Sequence, residues 1–462
     1  GVTIDNSAGH NDFMGRVAGG TSFGHGSWAD GHGHGTHVAG LAAGDTYDGN
    51  NLTYGGHGPY YLAQGLAYDS SLYIQKVFDD SGSWIGPGLY EIIENAEENG
   101  AYIHSNSWGE DDGDSLNIYD SRDVAFDKAV RDANSILNGN QQMVIVVSAG
   151  NEGGSGIASP GNGKNVITVG ASDTYMPDAD EYGGISSSNP NHIRSFSSKG
   201  WTEDNRVKPT IVAPGHVCLS TSSPSTTSAF NMGLYSENSR YEWARGTSQS
   251  TPTVSGAASV IVDYYKDRYG VRPSPAMVKA LLVNTAIDLS DSEGNTGPIP
   301  NKQEGWGLAN LPKICDPPVN VINLDQNSKL KTGQEDEFYV SCNDTSHPMK
   351  ISLTWTDKEA SEFDNLTLKN NLNLKVIAPD GSTAYYGNAF DIDGDSVSDS
   401  NYTFPNTKTM SDFNDDTGYF DDRNVVENVF IRPSELQEGL YKIKVIGENI
   451  PADGTNSGNP SQ

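Results

Sequence analysis

Apolar positions recur with two alternating periods along about the first 310 residues. Residues 89–96 place apolar side chains at helical spacing before Asn99-Gly100, a common helix end, and residues 124–136 show a second amphipathic pattern. Residues 143–147 form a continuous apolar run, typical of a parallel strand covered on both faces. Further strands are predicted at residues 72–78, 101–105 and 165–170. This α/β alternation predicts a doubly wound parallel sheet, with ligand sites beyond the carboxyl ends of its strands.

The pattern changes in the last third of the chain. Pro312, Pro317 and Pro318 predict a linker, and short alternating segments with turn residues between them follow it. Such segments are typical of an all-β sandwich, so we predict two domains, residues 1–312 with the α/β sheet and residues 313–462 with the sandwich. The strands predicted in the second domain are residues 337–341, 350–355, 372–377, 426–431 and 441–446.

The charge balance narrows the classes of function. The 462 residues include 29 Lys and Arg against 60 Asp and Glu, a net charge of −31. This excess argues against nucleic acids and anionic membranes as partners, because both would repel the protein. No apolar run approaches the length of a membrane span. The first residues do not resemble a signal peptide, which leaves a cytosolic protein or a processed or trimmed chain as the two expectations.

Three cysteines, Cys218, Cys315 and Cys342, are too few for a disulfide framework. At most one bridge can form among them. Cys315 and Cys342 are the nearest pair in sequence, but spacing alone does not decide the pairing.

Three segments hold side chains suited to nucleophilic catalysis. Ser248 precedes small, uncharged residues typical of a buried helix, whose dipole would favour the negative charge that develops at a nucleophile. An N-cap serine is the alternative, and this segment by itself does not decide between the two. The His-rich residues 30–40 allow a metal site or a solvated loop, although no carboxylate or cysteine stands at helical spacing on the same face. Asn151 follows the apolar strand and either points its amide into a crevice or forms a turn.

Together these segments resemble the subtilisin-like serine proteases. The motifs are His34-Gly35-Thr36-His37-Val38-Ala39-Gly40, Ser148-Ala149-Gly150-Asn151, and Gly246-Thr247-Ser248 followed by Pro252, in the order of the family. Supporting matches at residues 106–109, 196–200, 212–215, 278–286 and 305–307 extend the resemblance over nearly all of residues 10–310. The second domain resembles the jelly-roll domain found in the alkaline, oxidatively stable branch of this family.

The resemblance implies a secreted serine endopeptidase and a role for each motif. Ser248 would be the nucleophile, His34 the general base, and Asn151 an oxyanion donor beside the Ser248 amide. The substrate backbone would bind as an added strand, and Glu152 at the pocket rim would favour basic or polar substrate side chains. The substrate-binding residues implied are Ser107, Trp108, Gly109, Gly150 and Glu152. We expect protein or peptide substrates and a monomeric enzyme.

Two positions depart from the family pattern. Gln249 follows the nucleophile where the family commonly has a methionine, and glutamine has no sulfur for peroxide to oxidise. The second departure is the catalytic aspartate. Asp5 is the early candidate, but its spacing and the missing glycine favour a position upstream of Gly1. Without that aspartate activity would fall about 10⁴-fold, so a catalytically impaired binding protein with the subtilase fold is the alternative function.

Calcium is the cofactor that we expect. Asp391, Asp393 and Asp395 place three carboxylates around a glycine turn, and carboxylate oxygens are the ligands that a hard cation prefers. The alternative is a solvated acidic loop, since the terminal glutamate of an EF-hand is absent.

Overall fold

A computed structural model describes most of the chain. The described residues are 9–24, 26, 28–47, 61–110, 113, 115–175, 189–226, 231–289, 299–325, 329–388 and 420–453. Among these residues, no helix is both long enough and apolar enough to cross a membrane.

Two parallel strands, β1 (Val17–Ser22) and β2 (Leu72–Lys76), form a small sheet. This sheet lies beside the central one, because the Gln75 side-chain oxygen is 2.9 Å from Nε2 of His104, a residue of the neighbouring strand. The segment predicted as a strand at residues 72–78 therefore forms, with an end two residues earlier.

Four parallel strands form the central sheet. Its second strand is buried along its whole length, as the apolar run predicts. The fourth strand contains Pro214 and Gly215, and this interrupted pattern explains why periodicity alone missed it. The parallel sheet predicted from the α/β alternation is confirmed. Its strands, in spatial order, are β3 (Ile103–Asn106), β4 (Val144–Ser148), β5 (Ile167–Asp173) and β6 (Ile211–His216).

Helices cover both faces of this sheet because alternate residues of β4 point to opposite sides. Val144 and Val146 pack in a core with Val254 and Ile261, whereas Ile145 packs on the other side. That second side is covered by two amphipathic helices, residues 89–98 and 121–131, whose bounds are close to those of the two helices predicted from the sequence. The helices are α1 (His34–Ala43), α2 (Leu89–Glu98), α3 (Ser121–Arg131), α4 (Thr247–Tyr269), α5 (Pro275–Thr285) and α6 (Leu311–Cys315).

The bounds predicted for α3, residues 124–136, are wrong at both ends. The helix begins earlier because Asp120 is the N-cap of a capping box. It ends earlier because Asp132 takes an extended conformation and its carboxylate accepts the N–H of Gln141. This side-chain bond to the backbone competes with continuation of the helix.

A small antiparallel sheet holds α1 in place. The Ser220 hydroxyl donates to the His37 carbonyl at 2.8 Å, and the Thr221 hydroxyl donates to the Thr36 carbonyl at 2.7 Å. The strand of this sheet that comes last in the chain, residues 241–244, leads directly into α4, so the sheet connects α1 with α4. Its strands are β7 (Cys218–Thr221), β8 (Gly233–Leu234) and β9 (Tyr241–Ala244), in the order β7-β9-β8.

The last third of the described chain is built from antiparallel strands, and all five strands predicted there form. Tyr441, Leu374 and Val429 lie in a common buried core of this part. The sheets have the orders β10-β15-β12-β13 and β11-β14. Their strands are β10 (Glu335–Cys342), β11 (Met349–Thr354), β12 (Asn371–Ile377), β13 (Ala384–Tyr386), β14 (Val426–Ile431) and β15 (Gly439–Asn449).

The antiparallel part packs on the α/β part. The Thr354 hydroxyl donates to the Ala276 carbonyl at 2.6 Å, and the rings of Trp306 and Phe430 meet edge to face in a shared core. The predicted boundary at residues 312–313 falls within α6. The division into two domains and the jelly-roll assignment remain predictions.

All three cysteines, Cys218, Cys315 and Cys342, are free thiols. Burial raises the pKa of Cys218 to about 12 and also raises the pKa of Cys315. Neither of these two is therefore suited to act as a thiolate nucleophile.

Candidate active site

His34 is the first residue of α1, and a carboxylate fixes the turn that carries it. The N-cap residue Gly33 has a φ of 96°, in the left-handed region, and offers no side chain. Asp30 replaces that cap: its Oδ1 accepts the Gly33 N–H at 2.8 Å, and its Oδ2 accepts the N–H and hydroxyl of Thr36 at 2.8 and 2.6 Å. A negative charge is favourable at this end of a helix. The backbone of the first turn, from which the His34 side chain projects, is therefore held in place.

The surroundings of His34 keep its imidazole neutral. Burial of the ring is the largest cause that lowers the pKa of His34 to about 4, and the charge of His32 acts in the same direction while Asp30 opposes it. The two histidine ring centroids are 6.3 Å apart. At neutral pH the imidazole is therefore unprotonated, as a general base must be to accept a proton.

Ser248 is the second residue of α4 and is partly exposed. Gly246, with a φ of 146°, makes the sharp entry into this helix. The Ser248 hydroxyl donates to the Ser107 carbonyl at 3.1 Å, and the Ser107 hydroxyl donates to the Ser248 carbonyl at 2.8 Å. These two bonds join the start of α4 to the carboxyl end of β3, where ligand sites of parallel sheets lie.

The helices that carry His34 and Ser248 run side by side. Nε2 of His37, in the first turn of α1, is 3.2 Å from the carbonyl of Glu242, five residues before the start of α4. Further along, a methyl group on Gly256 would lie 2.8 Å from the carbonyl of Ala42. Both helices therefore begin on the same side of the molecule, and their positive dipole ends point to one region.

Asn151 follows β4 after Gly150, whose φ of 103° requires glycine-like freedom. Its side-chain oxygen accepts the Thr247 N–H at 2.9 Å. The Thr247 hydroxyl also donates to the Gly150 carbonyl at 3.2 Å. Since the oxygen is held, the amide nitrogen of Asn151 is directed away from Thr247, and it makes no hydrogen bond to any described residue. It remains available as a donor next to Ser248.

The other predicted substrate-binding residues lie at the carboxyl ends of β3 and β4. Trp108 packs against Phe78, Trp84 and Phe126, with ring centroids 5.3–6.0 Å away. A methyl group on Gly109 would lie 2.9 Å from the Ser159 carbonyl, so a side chain has no room there. Aromatic rings and the Ser159 backbone therefore hold the segment from Ser107 to Gly109 in place.

Glu152 is exposed beside Asn151, and its backbone N–H donates to the Ser198 hydroxyl at 3.1 Å. The structure thus brings Ser107, Ser248 and the segment from Gly150 to Glu152 to one edge of the sheet. Adjacent strands β3 and β4 supply them.

Sequence reasoning missed the roles of Thr247 and Asp30 in this arrangement. Asp30 stands shortly before a helix start, where acidic residues commonly bind free N–H groups, so a capping signal was present. Thr247 offers no such signal, because its partners lie almost a hundred residues away in the chain.

Several predicted residues lie outside the described ones. They are Asp5 and the proposed calcium ligands Asp391, Asp393 and Asp395. Within the described part of the chain, no group of three or more His, Cys, Asp and Glu side chains is arranged to hold a metal ion.

Comparisons with known proteins identify the family of the chain. The subtilase family model matches residues 8–307. The chain is 31% identical to the serine protease/ABC transporter B family protein tagA of Dictyostelium discoideum, over 55% of the chain and 14% of that protein. It is 26% identical to tagD of the same organism, over 91% of the chain and 28% of that protein. Subtilisin DY of Bacillus licheniformis is 32% identical over 62% of the chain and 82% of its own length.

The α/β fold and the match to the peptidase S8 model define a class, the subtilisin-like serine proteases. The chain belongs to the subtilase family, because the family model covers well over half of it. It spans 14% and 28% of the length of the two Dictyostelium relatives.

Proposed function

We propose that this chain hydrolyses peptide bonds of protein or peptide substrates through an acyl-enzyme. The observation that carries the proposal is the start of α4, where Ser248 stands beside the amide of Asn151 that Thr247 holds in place. A serine hydroxyl and a side-chain amide near the positive end of one helix are the groups that a nucleophile and an oxyanion donor would require.

In the proposed reaction the Ser248 hydroxyl oxygen attacks the peptide carbonyl carbon, and His34 takes the hydroxyl proton. The carbonyl oxygen becomes negatively charged and accepts hydrogen bonds from the Ser248 N–H and the Asn151 amide. The C–N bond then breaks, and His34 gives its proton to the leaving amine. A water molecule, deprotonated by His34, attacks the ester carbon and releases the acid and free Ser248.

We propose that the substrate backbone lies along Ser107, Trp108 and Gly109, opposite Gly150, with Glu152 at the rim of the specificity pocket. The support is that these residues share the carboxyl edge of β3 and β4 with Ser248. The exposed carboxylate of Glu152 supports a preference for basic or polar side chains at the cleavage site.

The carboxylate that would orient His34 is proposed from the resemblance to be Asp5 or a residue upstream of Gly1. An Asp5→Asn variant separates these two positions. We expect its activity to stay near that of the unmodified chain if the aspartate lies upstream, and to fall about 10⁴-fold if Asp5 is the partner.

Calcium binding, secretion, a monomeric state and a jelly-roll fold for the C-terminal part are likewise proposals from the resemblance. The carboxylates of Asp391, Asp393 and Asp395 are the kind of ligand that calcium takes, and the ion would stabilise the fold without joining the reaction. A chelator should then lower the melting temperature, and an unchanged melting temperature would contradict the calcium proposal.

A fluorophosphonate tests the nucleophile directly. This reagent phosphonylates an activated serine, so intact protein should gain one adduct, located at Ser248 by peptide mass spectrometry. The Ser248→Ala variant should gain none, and His34→Ala should react far more slowly because the general base is missing. An unlabelled but folded chain would instead support the catalytically impaired binding protein.

A further inference from the structure

A small cavity of about 20 Å³, partly open to solvent, lies where the antiparallel part packs on the α/β part. The α/β part contributes four basic side chains to its lining, and the segment leading into β14 contributes the opposite wall. The residues that matter for the argument are Lys164, Arg206, Lys208, Lys279, Asn424 and Val426.

Arg206 presents an unused hydrogen-bond donor to this cavity. Its side chain is 2% exposed. Nε donates to the Asp204 carboxylate at 2.9 Å, and Nη1 donates to the Asn162 carbonyl. Nη2 is buried and has no acceptor among the described residues. Because a guanidinium does not lose its proton in proteins, this donor needs an acceptor rather than a change of charge.

Lys208 and Lys279 add further unused donors. Both side chains are 3% exposed. The Lys208 ammonium donates to the Thr168 hydroxyl at 2.8 Å, and the Lys279 ammonium donates to the Lys164 carbonyl at 2.9 Å. Each ammonium has three N–H donors, and neither forms an ion pair with a carboxylate of the described chain.

The carboxylates nearest to the cavity are already engaged. Asp357 accepts the ammonium of Lys164 at 2.6 Å, and Asp204 accepts Arg206. Asp127 accepts the backbone N–H groups of residues 164 and 165 and the hydroxyl of Tyr119. Asp127 attracts both the Lys208 and the Lys279 ammonium, and Asp123 also attracts Lys208. Neither carboxylate forms an ion pair with them, so the positive charge of the two lysines is only partly balanced. Burial is the largest cause that lowers the pKa of Lys279 to about 7 and also lowers the pKa of Lys208, which shows how costly these unpaired charges are.

We infer that this cavity binds a small monovalent inorganic anion of the size of chloride, held by Arg206, Lys208 and Lys279. A cavity of this volume has room for about one water-sized particle, which is too little for sulfate or phosphate. A water molecule would also fill the space, but its two O–H groups would need acceptors, and the basic side chains of the lining offer only donors. An anion satisfies the donors and also balances the buried charge.

The anion would stabilise the contact between the two parts of the chain. Asn424 lines the cavity, and its side-chain oxygen accepts the Val207 N–H at 2.8 Å, directly beside Arg206 and Lys208. A bound anion would offset the charge of Arg206, Lys208 and Lys279. Their burial beneath Val426 would then cost less free energy than the burial of unbalanced ammonium groups. Occupancy should therefore raise the stability of the docked arrangement.

The first experiment uses the full chain and halide ions. Melting temperatures are measured in sodium chloride and in sodium gluconate at the same ionic strength, since gluconate is too large for the cavity. We expect chloride to raise the melting temperature by a few degrees and to saturate, as binding to a single site requires. Crystals soaked in sodium bromide should show an anomalous peak between the side chains of Arg206, Lys208 and Lys279.

A variant pair distinguishes this site from general salt effects. Lys208→Met removes one cation from the cavity and should flatten the chloride dependence, whereas Lys329→Met, at an exposed position, should retain it. Equal melting temperatures in chloride and gluconate for the unmodified chain would overturn the inference. A water molecule in the cavity without anomalous bromide signal would do the same, even if Lys208→Met does not fold.

Discussion

The side-chain oxygen of Asn151 accepts the backbone N–H of Thr247 at 2.9 Å and thereby joins the end of β4 to the start of α4. The bond uses the side-chain oxygen of Asn151 and leaves its amide nitrogen as the free hydrogen-bonding group. In the proposed reaction the Asn151 amide would thus be held in place before any substrate binds, and such preorganisation is what makes an oxyanion donor effective.

Removing the Thr247 hydroxyl should therefore weaken catalysis without weakening substrate binding. Thr247→Val keeps the shape but loses the bond to Gly150 and the 3.2 Å contact with Asn151. One neutral hydrogen bond is worth about 0.5–1.5 kcal/mol, so kcat should fall about 2- to 10-fold with KM unchanged. Thr247→Ser, which keeps the hydroxyl, is the control. A rise in KM with normal kcat in Thr247→Val would contradict this account.

His32 should set the acidic limb of the pH profile through its effect on His34. The catalytic form of His34 is the neutral one, and the charge of His32 lowers its pKa, so activity persists to lower pH. His32→Gln removes that charge, raises the pKa of His34 and should move the acidic limb of kcat/KM upward by a few tenths of a pH unit. Measurement from about pH 3 to pH 9 brackets the pKa of His34, with the exposed His347→Gln as control. A limb that stays in place or moves to lower pH would refute the coupling.

Resistance to peroxide should depend on Gln249. This side chain is fully buried behind Ser248, and neither end of its amide has a partner among the described residues. The unmodified chain should keep most of its activity in peroxide, because glutamine has no sulfur to oxidise. Gln249→Met should be active before treatment and lose activity rapidly during it. Equal inactivation of both proteins would show that the sensitive residue lies elsewhere.

Local patterns predicted the framework of this protein well. The apolar run that became β4 is buried along its whole length, so its burial could be inferred from five adjacent residues. Five of the six described strands of the C-terminal part followed in the same way from alternation, and the short β13 was not predicted. Sequence motifs also predicted Ser248, His34 and Asn151 as site residues, a prediction that stays open, and the structure places Ser248 and Asn151 at one edge of the sheet.

Polar partnerships between distant residues were not predictable from such patterns. Asp132 ends α3 through a bond to Gln141, and Thr247 orients Asn151, but neither threonine nor aspartate is unusual in its own segment. The four basic side chains around the small cavity are equally unremarkable in sequence. They become a distinct site only because the α/β part and the antiparallel part enclose them together.

The ion pair between Lys164 and Asp357 should be a main determinant of the contact between those two parts. Both side chains are fully buried with the charged atoms 2.6 Å apart, and the ammonium also donates to the carbonyls of Lys358 and Thr367. Asp357→Asn leaves the Lys164 charge without its partner and should lower stability by about 3–5 kcal/mol. Lys164→Met should also destabilise, because the Asp357 carboxylate then remains buried and unpaired.

Chemical denaturation of the single variants and of the double variant tests this coupling. The double variant should lose less stability than the sum of the two single losses, since the second change removes a charge that the first left unpaired. Lys444→Gln at the partly exposed pair with Glu335 is the control and should cost about 0–1 kcal/mol. Strictly additive losses at Lys164 and Asp357 would mean that the two charges do not interact across this contact.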